Sequence, residues 1–104
     1  MIKYAVFAGS YAPTPEWNCI RGYFDSMVDR GVLSGIFFDR HENDRVGSKL
    51  ELPFYSDIGD IVKRLVPNTP RLVVTAQVQD EQALLNEAPN LKRRYKLKYE
   101  IHEE

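Results

Sequence analysis

Between Ile2 and Ala8 the chain is apolar at both parities, with Ile2, Tyr4, Val6 and Ala8 alternating with Lys3, Ala5 and Phe7. Successive side chains of an extended chain point to opposite faces, so such a run belongs in a strand that is covered on both sides or set centrally in a sheet. The next residues turn the chain. Gly9-Ser10-Tyr11-Ala12-Pro13-Thr14 breaks the pattern, and Thr14-Pro15-Glu16 combines a capping hydroxyl, a proline suited to the first helical turn and an acid at the positive end of the helix dipole. A central strand, a loop and a helix from about Pro15 follow in that order.

The helix places Trp17, Ile20, Phe24, Met27 and Val28 at helical spacing and stops near Gly31. A second strand runs from Val32 to Arg40 around Ile36-Phe37-Phe38, and Asp39 to Arg45 reads as a charged loop. Leu50, Leu52 and Phe54 alternate with Lys49, Glu51 and Pro53, giving a one-sided third strand. Ser56 or Asp57 then caps a helix bearing Ile58, Ile61, Val62 and Leu65 on one face. Arg71 to Gln79 is a fourth strand, and Asp80 to Ala88 holds at most two helical turns, closed by Pro89. The strictest alternation comes last, with Tyr95, Leu97, Tyr99 and Ile101 opposed to Lys96, Lys98, Glu100 and His102 in a half-buried fifth strand.

This order predicts an α+β domain, ferredoxin-like βαββαβ with an added short helix and a C-terminal fifth strand, its sheet covered by helices on one face. The alternative, a small parallel Rossmann-like α/β sheet, drops the third strand. At 104 residues, 43% of them hydrophobic, residues 1–104 are expected to form a single domain with one core. Fourteen basic against fifteen acidic residues leave a formal charge of −1, so no global field recruits nucleic acid or an anionic membrane. The single cysteine, Cys19, forms no internal disulfide, and the first residues lack the basic and apolar regions of a signal peptide. The expected location is the cytoplasm, with no membrane association.

The segment Ala5-Val-Phe-Ala-Gly-Ser-Tyr-Ala-Pro-Thr14 resembles the first strand and loop of the nucleotidyltransferase superfamily that includes phosphopantetheine and nicotinamide mononucleotide adenylyltransferases. Gly9, Ser10, Tyr11 and Pro13 fall on that family's Gly, Ser/Thr, Phe and Pro positions. Ala12 stands where the family has Asp, and Trp17-Asn18 where it has the Gly-His that contacts nucleotide phosphates. The resemblance implies a phosphate contact at Gly9 and Ser10 without the transfer chemistry.

Three further regions invite a functional reading. Asp39-Arg40-His41-Glu42-Asn43-Asp44-Arg45 concentrates acids, bases and metal-ligand types, yet no second cluster completes a metal or catalytic set, so it is expected to act as a solvated binding loop. Lys92 to Tyr99 interleaves basic and aromatic residues, a pattern that can serve single-stranded RNA, but Tyr95 and Tyr99 share a face with Leu97 and Ile101, which favours a charged edge strand instead. A sheet covered on one face leaves Phe7, one of Phe37 and Phe38, and Val73 exposed, a patch that requires a partner.

The functional expectation is therefore a small non-catalytic protein-binding module, an inhibitor or adaptor, with neither cofactor nor metal. It docks a protein partner or a second copy through Phe7, Phe37, Phe38, Asp39, Arg40, His41, Asp44 and Arg45. The alternatives are a nucleotide-binding or degenerate nucleotidyltransferase-like domain with phosphate at Gly9 and Ser10, and an RNA-binding domain.

Overall fold

The computed structural model describes residues 2–10, 13–41 and 58–103. Among these, four strands and four helices follow one another as β1 (Lys3–Ser10), α1 (Thr14–Asp29), β2 (Leu33–His41), α2 (Ile58–Leu65), β3 (Arg71–Val78), α3 (Glu81–Asn86), α4 (Ala88–Arg93) and β4 (Lys98–Glu103). The strands form one sheet in the order β2-β3-β1-β4, and every ladder is antiparallel. This is a ferredoxin-like type of sheet in a small α+β fold, and the parallel alternative is excluded by the ladders. The predicted third strand, at Lys49 to Phe54, lies outside the described residues, as do the caps expected at Ser56 and Asp57.

The two-sided run in β1 has the meaning its pattern suggests. Ala5 and Phe7 enter one core with Trp17, Ile20, Phe24 and Met27 of α1, Leu84 of α3, Leu91 of α4 and Leu72, Val74 and Ala76 of β3. Tyr4, Val6 and Ala8 enter a second core with Ile58, Ile61, Val62 and Leu65 of α2 and Val73 of β3. The sheet is thus covered on both faces, which corrects the expectation of a single helical layer. Four apolar side chains at helical spacing on α2 have only the far side of the sheet on which to be buried.

The element boundaries shift for local reasons. β1 runs on through Gly9 and Ser10, pairing them with Leu72 and Arg71. Pro13 is the residue before α1 and offers no side-chain acceptor, so the helix starts at Thr14 without the cap expected of that threonine. Val28, expected on the buried face, is 38% exposed. Gly31, at φ 75°, ends the helix region in the left-handed backbone that glycine adopts without strain.

Asp39 to His41 belong to β2 rather than to a loop, with partners Val73, Leu72 and Arg71. After the Asp80 carboxylate accepts from the Ala83 N–H at 3.1 Å, two short helices follow instead of one. Pro89 sits in the first turn of α4, where its missing N–H removes no helical bond, so it opens a helix rather than closing one. The final strand begins only at Lys98 because Lys96 adopts a left-handed backbone, φ 54°. Leu97 is buried and Tyr95, Tyr99 and Ile101 are half-buried against the α1 core, as their alternation requires.

Candidate functional site

The residues expected to dock a partner are divided by the fold. Phe7 is fully buried, in edge-to-face contact with Phe24 at 4.9 Å between centroids, and Val73 is fully buried on the opposite face beneath α2. The exposed patch they were to form does not exist in this arrangement, because the register pairs Phe7 with Val74 and so puts Val73 on the opposite face, and both faces are covered. Phe37 packs partly against the α2 core. Phe38 packs against the α1 core, edge-on to Trp17, with the Arg21 guanidinium 5.0 Å from its ring centroid. Asp39 is half-buried, Arg40 and His41 close β2, and Asp44 and Arg45 lie outside the described residues.

Two regions that are remote in sequence are brought together instead. Gly9 and Ser10 at the end of β1 meet the turn between α4 and β4. A Cβ on Gly9 would lie 2.8 Å from Leu97 Cδ2 and 3.1 Å from the Lys96 carbonyl oxygen, so the close approach of that turn requires glycine. The first turns of α1 close the third side. The result is a pocket of about 430 Å³, lined by Ser10 of β1, Glu16, Cys19 and Ile20 of α1, Leu72 of β3, and Arg94, Tyr95 and Lys96 of the turn. Its volume falls in the range of small-molecule sites, roughly 300–1,000 Å³. Glu16 and Cys19 were not singled out for this role, and nothing in the linear order joins them to Arg94 or Lys96.

The turn is held by packing rather than by chance. The Tyr23 ring of α1 stacks on Tyr95 at 4.4 Å, and the Tyr23 hydroxyl donates to a Glu87 oxygen at 2.7 Å. Glu87 also accepts from Arg30 at 2.9 Å, and these donors, Tyr23 first, hold its carboxyl below the usual carboxylate range. Burial, then the bond to Glu87, pushes the Tyr23 hydroxyl well up, so it stays a donor. The backbone adds to this, with Tyr95 N–H donating to Asn90 at 3.2 Å and Leu97 N–H to Leu91 at 2.8 Å.

Chemically, the pocket opposes two basic side chains and a hydroxyl to one carboxylate, over a floor that includes Ile20 and Leu72. Arg94 and Lys96 suit phosphate or carboxylate oxygens, Ser10 can donate to the same group, and Glu16 can accept from a hydroxyl on the bound molecule. Among the described residues no three His, Cys, Asp or Glu side chains gather as a metal-ligand set. No helix among them is long and apolar enough to cross a membrane.

No family model matches the chain, and no curated protein matches it. Among solved structures, it is similar in fold to a formyltetrahydrofolate deformylase from Burkholderia mallei, with 10% identity and a TM-score of 0.49 over 99% of this chain and 28% of that one. The chain therefore spans less than a third of that protein's length, and the likeness bears on no residue of the pocket.

Proposed function

We propose that this chain is a non-catalytic binding domain for a small phosphorylated molecule that also carries hydroxyl groups, the class to which nucleotides and sugar phosphates belong. The observation that carries the reading is the convergence of Ser10, Arg94 and Lys96 with Glu16 around one pocket, although Ser10 and Glu16 belong to the start of the chain and the two cations to its end. Arg94, Lys96 and Ser10 take the phosphate, and Glu16 accepts from a hydroxyl. The scaffold, in this reading, is a ferredoxin-like fold in which α2 is an addition between the second and third strands. The antiparallel order β2-β3-β1-β4 supports it.

The test is a titration with ribose 5-phosphate followed by amide chemical shifts. Millimolar ligand is expected to move Ser10, Glu16, Cys19 and Lys96 while leaving the α2 amides in place, and the change Arg94→Glu should abolish those shifts. Unmoved amides around the pocket at saturating ligand would end the proposal.

A further inference from the structure

Lys96 is shared by two cavities. On one side it lines the pocket with Ser10 and Arg94, and on the other it lines a groove of about 420 Å³ between α4 and β4. That groove is walled by Ala88, Leu97 and Tyr99 and bordered by three lysines, Lys92, Lys96 and Lys98, all of them exposed. A lysine thus stands at the junction of two adjoining concave sites, in a backbone conformation that side chains rarely adopt.

The charges around this junction are unbalanced. Lys3 is paired to Glu81 and Glu103, Arg30 to Glu87 and Arg64 to Glu100. Lys92, Lys96 and Lys98 have no ion pair with any described residue, although the whole chain carries a formal charge of −1. Three unneutralised ammonium groups around a concave surface favour a compact multivalent anion over water and over a monoanion. In the binding reading above the pocket takes one phosphate, and Lys92 and Lys98 lie beyond it on the far side of Lys96.

We infer that the molecule bound here carries a diphosphate, with one phosphate in the pocket at Arg94 and Ser10 and the next across Lys96 in the groove, held by Lys92 and Lys98. This rests on the binding reading above and adds the length of the anion to it. Lys96 contacts both phosphates, which explains a charged side chain where glycine would cost less.

The experiment compares AMP with ADP by calorimetry at fixed low salt, on the parent chain and on the double variant Lys92→Ala/Lys98→Ala. ADP is expected to bind the parent at least about tenfold tighter than AMP, a gap of the size one charge-assisted contact provides. The double variant should bind AMP as the parent does and lose the preference for ADP. Equal affinities of AMP and ADP for the parent, or an ADP preference that survives in the double variant, would overturn the diphosphate inference and leave the pocket reading standing. Failure of both nucleotides and of ribose 5-phosphate to bind would remove the pocket reading itself. Salt-sensitive binding of a single-stranded oligonucleotide without any ADP preference also overturns the inference, in favour of RNA.

Discussion

Lys96 shows at the scale of one residue how stability and binding pull apart. A side chain in the left-handed region costs roughly 1–2 kcal/mol that glycine does not incur, although glycine gives back part of this as unfolded-chain entropy. The change Lys96→Gly is therefore expected to stabilise the fold by about 0.5–1 kcal/mol in urea unfolding, while weakening ribose 5-phosphate binding severalfold. A glycine variant that is no more stable than its parent would show that the φ of 54° is not strained. Gly9 makes a complementary point. Its place between a strand and a helix suggests close approach of a phosphate, but the approach that demands glycine is that of Leu97 and the Lys96 carbonyl oxygen. A loop glycine announces that something comes near, and only the folded chain says what does.

Among the elements, α2 is the one whose role the linear pattern left open. Its apolar stripe of Ile58, Ile61, Val62 and Leu65 is legible from spacing, but the face of the sheet it covers is not, because either face of β1 could accept it. A polar tie also fastens it to the far strand: Arg64 of α2 reaches Glu100 of β4 with two bonds, at 2.6 and 2.9 Å, and His102 Nε2 lies 2.8 Å from the same carboxylate. Arg64 foremost, with His102, pulls the Glu100 carboxyl down to about 2 from an ordinary 4.5, against a burial effect that raises it. A depressed carboxylate contributes stability that is complete above its unfolded pKa and is lost as pH falls through its folded one.

The change Glu100→Gln should therefore cost about 1 kcal/mol at pH 7, a value kept small by screening of the largely exposed Arg64. The gap to the parent should close as pH falls from about 4.5 to about 2. Urea midpoints measured across that range check it, and a pH-independent gap would assign the effect to packing instead. Pro89 and the start of β4 show the opposite limit on reading elements. Pro89 is compatible with a helix start as well as with a helix end, and the alternation of Tyr95, Leu97, Tyr99 and Ile101 continues through a turn, so neither pattern marks the true boundary.

For the molecule as a whole, β1 is the common wall of two cores, giving Ala5 and Phe7 to one and Tyr4, Val6 and Ala8 to the other. Damage on one side should be felt on the other. Ile61→Ala, which empties space on the α2 face, is expected to lower stability by about 2–4 kcal/mol, and the loss should appear undiminished in the fluorescence of Trp17, which sits in the opposite core. A Trp17 transition that stays in place would mean that the two layers unfold separately. The four described strands and the apolar stripes of α1 and α2 were legible in the sequence alone, since alternation and helical spacing are local properties that any fold must respect. The burial of both faces of β1 was not, because one helical layer was expected and α2 supplies the second. The pairing of Ser10 with Arg94 and Lys96 was decided only by the tertiary structure. The antiparallel neighbours of β1 and the turn at Lys96 join the two ends of the chain, and no local pattern encodes which distant segment will close a pocket.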